Sequence, residues 1–223
     1  REVRERIARA AAACGRNAQS VTLLAVSKAQ PPETIAAAAA AGIVEFGESY
    51  LTEALVKIAA LQDRQLTWHF IGRVQANKTR EIAARFAWVH ALDRLKVAER
   101  LDAQRPAAAA PLNVCLQVNL AGEASKGGVT PQELPALAAQ VAQLPRLKLR
   151  GLMCLPPHES APARQRHWFA QLRVLKDALN AGGAGLDTLS MGMSDDFEAA
   201  IAEGATIVRL GTVLFGPRAT MTP

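Results

Sequence analysis

Aromatic residues are scarce in this chain, 4% of 223 residues, with six phenylalanines, three tryptophans and one tyrosine. A nucleic-acid surface made of rows of stacked rings is therefore not expected. Cysteine is also sparse: Cys14, Cys115 and Cys154 are odd in number and widely spaced, without the paired spacing of zinc ligands. They fit small buried residues in a reducing compartment better than a disulfide framework. No stretch is apolar for the roughly 18 residues of a membrane span, and no signal-type apolar block follows the charged start. The expectation is a cytoplasmic protein with no membrane contact. His69, His90, His158 and His167 lack metal-ligand spacing, and no Gly-rich dinucleotide fingerprint follows the first apolar run, so neither a metal centre nor a nicotinamide site is expected.

What the chain does have is aliphatic residues: half of it (50%) is hydrophobic and 21% is charged. A core of Ala, Val, Leu and Ile large enough to offset the ordering entropy follows, and disorder is excluded. Lys and Arg number 26 against 20 acidic residues, a net charge of +6, which raises the question of nucleic acid. The basic residues are scattered, however. In the densest stretch Arg1, Arg4, Arg6 and Arg9 alternate with glutamates on one helical face, which reads as a solvated surface.

Short β-branched runs alternate regularly with longer amphipathic ones. An opening helix over 1–14 ends at Gly15. Strands are expected at 21–27, 43–46, 67–71, 87–92, 112–119, 148–153, 186–190 and 206–210. Helices are expected at 33–41, 48–61, 75–86, 93–103, after Thr130-Pro131, at 163–181 and at 194–202. Apolar strands joined by helical crossovers require a parallel sheet covered on its outer face, and eight of them close a barrel. The fold class is thus α/β, a single-domain TIM (β/α)8 barrel over 1–223 with an extra N-terminal helix. An open doubly wound sheet is the alternative.

In such a barrel the functional groups stand at the C-terminal ends of the strands. Lys28 ends the first strand, where partial desolvation favours a neutral amine able to form an imine, although a lysine snorkelling to solvent fits the same position. After the seventh strand come Met193 and Ser194, the latter where a helix N-cap is expected, with Asp195, Asp196 and Glu198 in the first turn. Gly211 and Thr212 follow the eighth strand, offering close backbone approach and a hydroxyl where barrels often bind phosphate; ordinary capping and a plain turn explain these residues equally well. Arg209 lies among apolar neighbours and either pairs with a buried acid or faces a ligand. His69, at the end of the third strand, is placed near the same pocket. Amine, phosphate cup and guanidinium together match the needs of pyridoxal 5′-phosphate (PLP).

Several strings carry a resemblance: Ala25-Val26-Ser27-Lys28, Phe46 to Tyr50, Trp68 to Gly72, Gln75 to Lys78, Gln117-Val118-Asn119, Ser125 to Gly128, Arg150 to Met153, Ser190 to Asp196 and Arg209 to Thr212. In this order, from about Val21 to Arg218, the chain resembles the pyridoxal phosphate homeostasis family, the YggS/PROSC type. The resemblance implies a barrel similar to the N-terminal domain of alanine racemase that holds PLP as an imine. It implies that Lys28 is the imine lysine, that Arg209 faces the pyridine nitrogen and that Ser194, Gly211 and Thr212 hold the phosphate, with Lys126 near the ring. Two departures stand out. Ser49 replaces the family's usual Asn at a ring-side contact, and Gln30 stands where many members carry a second lysine.

Holding the cofactor differs from using it. An arginine at the ring nitrogen cannot accept a proton or donate one readily, so it disfavours the protonated ring that best stabilises a carbanion. Racemisation needs in addition a base opposite the lysine, which alanine racemase takes from a second domain of its partner subunit. Here the expectation is no second domain, and Tyr50, the one tyrosine, sits at the second strand-helix junction. The function expected is carriage or buffering of PLP, with other B6 vitamers and PLP-dependent recipient enzymes as possible partners and a monomeric state. A slow racemase-like enzyme is the alternative.

Overall fold

The structure is a computed structural model, and it describes residues 1–123 and 126–216. Ser125 and Arg218, which the resemblance included, lie outside the described residues. In chain order the elements are α1 (Glu2–Ala13), β1 (Thr22–Val26), α2 (Pro32–Ala40), β2 (Glu45–Glu48), α3 (Leu51–Ala60), β3 (Thr67–Phe70), α4 (Thr79–Arg85), β4 (Trp88–Leu92), α5 (Leu95–Gln104) and β5 (Leu112–Val118). There follow α6 (Leu134–Val141), β6 (Leu147–Cys154), α7 (Pro162–Ala181), β7 (Thr188–Ser190), α8 (Phe197–Ala202), β8 (Ile207–Leu210) and the short α9 (Thr212–Phe215).

Each strand pairs in parallel with the next, and β8 returns to β1 with Thr22 opposite Ile207 and Ala25 opposite Leu210, which closes the barrel. Because successive strand residues face opposite sides, every strand contributes to two regions. One face packs under the helices. Phe46, Trp68, Val89, Leu116, Leu152 and Val208 meet Ile35, Ile82, Leu101, Phe169 and Phe197 there in one continuous apolar cluster. The other face fills the barrel lumen. Its small apolar group, Ala91, Cys115 and Met153, is separate from the outer cluster, with Trp88 and Leu155 packed against it.

The N-terminal helix α1 buries Val3, Ile7 and Ala11, a stripe repeating every four residues, and packs against α8. Arg16 then donates to the carbonyls of Ile201 and Ala205, both at 2.8 Å, satisfying acceptors at the C-terminal end of α8 and just beyond it. Strand β6 approaches β7 so closely that a Cβ on Gly151 would stand 1.8 Å from the Thr188 carbonyl oxygen, so only glycine fits there. Among the described residues no helix is long and apolar enough to cross a membrane.

Eight strands, the crossover helices and the extra helix match the expected architecture, while several boundaries move. The second strand runs over Glu45–Glu48 rather than 43–46. The segment expected as a helix over 75–86 divides into a 3-10 turn at Ala76–Lys78 and α4. Strand β7 is shorter than 186–190, and α8 begins at Phe197 rather than 194.

Candidate functional site

At the C-terminal rim of the barrel a cavity of about 300 Å³ opens between the ends of β1, β7 and β8. Lys28, Ser49, Met193, Ser194, Arg209, Gly211 and Thr212 stand on its wall, with Gln30 beside them and Val26, Ile71, Met153 and Leu155 as apolar surface. The fold therefore brings together groups that are up to 184 positions apart (Lys28 and Thr212) in the chain.

Lys28 is presented by a braced turn. Gln30 N–H donates to the Ser27 carbonyl at 3.0 Å, and Ala29 holds φ 61, in the left-handed region that favours glycine. Adopting that conformation costs an alanine about 1–2 kcal/mol. Its N–H is satisfied by Glu53 Oε1 at 2.6 Å. Behind the turn, Lys57 Nζ donates to the Ser27 carbonyl at 2.7 Å, to Glu48 Oε1 at 2.8 Å and to Glu53 Oε1. Ser27 Oγ donates to the same Glu48 oxygen at 2.6 Å. Burial pushes the Glu48 carboxyl up from its ordinary value, against the opposing pull of Lys57 and Ser27. Its Oε2 has no hydrogen-bond partner among the described residues. Sequence reasoning placed Glu48 at a strand end without giving it a role, and it missed Glu53 and Lys57. A signal was available, because Lys57 falls on the stripe Leu51, Ala54, Lys57 that α3 buries, and a lysine on a buried stripe requires an acidic partner.

Arg209 is 4% exposed. Its Nη1 donates to the Ser190 carbonyl at 2.6 Å and to Ser190 Oγ at 2.9 Å, and its Nη2 to the Cys154 carbonyl at 2.9 Å. No carboxylate lies within ion-pair distance of it among the described residues, so of the two sequence alternatives the cavity-facing one fits. Burial lowers its pKa from the ordinary value, and the guanidinium nonetheless stays charged at neutral pH. Burial also pushes the thiols of Cys115 and Cys154 up to about 12 each.

Ser194 does not serve as the N-cap of α8. Asp196 holds that position, and its Oδ1 accepts from the Met193 N–H at 2.6 Å in a turn that precedes the helix. The burial of this carboxyl raises its pKa. Ser194 Oγ instead accepts from the Val213 N–H at 3.3 Å, joining the loop after β7 to the first turn of α9. Hydroxyls and amides from two strand ends thus gather on one side of the cavity. Two other expected residues are not on its wall. His69 lies in the lumen, because on β3 it faces the side opposite Trp68 and bonds to Glu45 and His90. Lys126 is drawn to Glu123 Oε1 at 2.9 Å and the Pro156 carbonyl at 3.1 Å.

Residues 1–219 match the model of the alanine racemase N-terminal domain. Among characterised relatives, the pyridoxal phosphate homeostasis protein of Pseudomonas aeruginosa is 59% identical, over 97% of this chain and 93% of its own length. The protein of that name in Escherichia coli K12 is 50% identical over 97% and 94%. Among solved structures, PipY of Synechococcus elongatus PCC7942 in its PLP-bound form is 40% identical, with a TM-score of 0.85, covering 96% of this chain and all (100%) of PipY. Alanine racemase of Clostridium difficile 630 shares the fold alone, at 13% identity and a TM-score of 0.75, over 97% of this chain and 56% of the enzyme. By its full-length match and its close relatives, the chain belongs to the pyridoxal phosphate homeostasis family, built on the alanine racemase N-terminal barrel.

Proposed function

We propose that this protein binds pyridoxal 5′-phosphate in the rim cavity and carries or buffers it, helping to keep vitamin B6 and the linked amino-acid and keto-acid pools in balance. One observation carries the reading: an amine from the end of β1, a guanidinium from β8 and hydroxyl and amide donors after β7 and β8 share one cavity wall. They match the three handles of the cofactor, which are an aldehyde, a ring nitrogen and a phosphate. Lys28 serves as the covalent tether. Arg209 faces the ring nitrogen, Ser194, Gly211 and Thr212 take the phosphate, and Ser49 and Met193 flank the ring. The name shared by the relatives and the PLP-bound PipY structure support the assignment. His69 and Lys126 are left out of the contact set.

When bound, the cofactor supplies an electron-poor ring able to stabilise a carbanion. The chain's own groups restrain that use. Arg209, a permanent cation already committed to Ser190 and Cys154, keeps the ring nitrogen unprotonated. Tyr50 is 63% exposed and stands outside the cavity lining, so no observation favours the racemase reading. Amino-acid turnover by the loaded protein near roughly 1 per second or faster would restore it.

The proposal extends to a cytoplasmic monomer, a single domain over 1–223, that hands PLP and related vitamers to recipient enzymes without touching membrane or nucleic acid. The deciding experiment is an absorbance spectrum of protein incubated with PLP, before and after borohydride, alongside Lys28→Ala. A yellow band, and a reduced adduct on the peptide containing Lys28, are expected. The same band persisting in Lys28→Ala would remove Lys28 from its role.

A further inference from the structure

A row of polar side chains that makes no part of the proposed contact set runs through the barrel lumen. Each comes from a different strand: Glu45 from β2, His69 from β3, His90 from β4 and Ser190 from β7. Glu45 Oε2 is 2.7 Å from His69 Nε2, His69 Nδ1 is 2.8 Å from His90 Nε2, and His90 Nδ1 is 2.7 Å from Ser190 Oγ. Arg209 Nη1 closes the row on Ser190 Oγ at 2.9 Å. His69, His90 and Ser190 are fully buried, and the Glu45 side chain at the far end is 27% exposed.

With both rings neutral, the carboxylate end fixes the order of the row, and the guanidinium end is compatible with it. A guanidinium can only donate hydrogen bonds and an ionised carboxylate can only accept them, whereas an imidazole or a hydroxyl can do either. Glu45 therefore requires the proton of His69 on Nε2, which leaves His69 Nδ1 as an acceptor. His90 must then carry its proton on Nε2, and its Nδ1 must accept from the Ser190 hydroxyl. Ser190 Oγ in turn accepts from Arg209. Every polar atom of the row is satisfied once with both imidazoles neutral. Protonating His69 would set its Nδ1–H against His90 Nε2–H, and protonating His90 would turn its Nδ1–H on Ser190 Oγ, whose own proton would then lose its acceptor. Burial, the largest influence on both rings, favours the same neutral state; the Glu45 carboxylate opposes it at His69, and the Arg209 charge adds to it at His90.

We propose that Glu45, His69, His90 and Ser190 are positioning residues, a hydrogen-bond relay of one fixed direction that holds Arg209 in place on the cavity wall. The relay adds a side-chain partner of fixed direction to a buried arginine that is otherwise held by the Ser190 and Cys154 carbonyls and feels the charge of Asp196 without an ion pair. Stacking supports the geometry, since the Trp88 ring lies parallel to His69 within 5° at 5.4 Å. The effect on the cofactor rests on the function proposed above, while the relay itself does not.

The test begins with nitrogen-15 NMR of the imidazoles in the cofactor-free protein at neutral pH. Both His69 and His90 are expected as neutral Nε2–H tautomers, and an Nδ1–H tautomer or an imidazolium at either ring overturns the relay. In Glu45→Leu the terminal acceptor of the His69 Nε2–H is gone, and both rings are expected to switch together to Nδ1–H, each proton then pointing along the row towards Ser190 Oγ. A switch confined to His69, or none at all, refutes the coupling, since packing alone gives His90 no reason to respond to a change two partners away. Should Glu45→Leu fail to fold, the wild-type tautomers still decide. Ser190→Ala removes the relay's hydroxyl while leaving the backbone carbonyl that Arg209 also meets, and it is expected to weaken PLP retention about tenfold. Unchanged retention overturns the positioning role and leaves the cofactor reading standing, whereas wild-type protein that takes up no PLP refutes that reading and leaves the tautomers to judge the relay.

Discussion

Two buried regions lie back to back across the same eight strands, and they are stabilised differently. The layer between strands and helices is a continuous apolar cluster, in which Phe46, Phe86, Phe169 and Phe197 are among the largest fully buried side chains. The lumen is a polar network: His69, His90, Ser190 and Arg209 run through it, and Arg150 donates to Asn113 at 3.0 Å while lying 4.9 Å from the Trp88 ring centre. Apolar contact is non-directional and tolerant, so the outer layer supports the fold without fixing any one atom. Hydrogen bonds in a dry interior are directional and costly to leave unmade, so the lumen positions atoms at the rim.

If this division holds, truncating the outer layer should affect stability most. Phe46→Ala is expected to destabilise the protein by about 3–5 kcal/mol in urea denaturation. PLP retention per folded molecule should be unaffected, and a comparable loss of retention would break the comparison. Lys57→Met comes next, at about 3 kcal/mol, because it leaves the buried Glu48 without its cation. The deficit should shrink as pH falls and Glu48 is protonated, which denaturation at pH 4.5 and 7.5 would measure.

The lumen should also respond to pH where the outer layer does not. The folded pKa values of His69 and His90 lie below the ordinary 6.5, so the unfolded chain binds more protons than the native one beneath that pH. The stability these rings contribute is full above about 6.5 and declines as pH falls towards their folded values, with a slope of up to about 1.4 kcal/mol per pH unit for each ring. Glu48 runs the other way: its folded pKa is raised, so its contribution is full below about 4.5 and is lost as pH rises. Denaturation of His90→Asn between pH 5.5 and 7.5 should show a flatter profile than wild type. An equally steep profile would place the pH dependence elsewhere. The smallest effect is expected at the rim. Ala29→Gly relieves a left-handed alanine and should raise stability by about 1 kcal/mol or less in the same assay.

The outer layer was legible in the sequence because apolar side chains repeat with the period of each element. Val21 to Ser27 and Leu112 to Asn119 announce β1 and β5 to within a residue or two. The run Ile43-Val44-Glu45-Phe46 marks only the approach to β2, because Glu45 faces the lumen and Gly47 has no side chain. Ser194 resembles a cap in the sequence, whereas Asp196 closes the turn before α8 and sets its start. Rim residues such as Lys28, Ser194, Arg209, Gly211 and Thr212 could be read from strand ends and from the family resemblance. The lumen network could not. His90 and Ser190 are 100 positions apart, and nothing in either apolar run reveals that they touch.

The three cysteines divide between these environments in a way that lets opening be timed. Cys14 is exposed after α1, whereas Cys115 faces the lumen and Cys154 belongs to the outer cluster. With thiols displaced to about 12, the two buried sulfurs are inert to maleimides and oxidants until their surroundings part. Once Cys14 has been blocked, the rates at which the other two become alkylated provide separate clocks on adjacent strands, one for each side of the sheet.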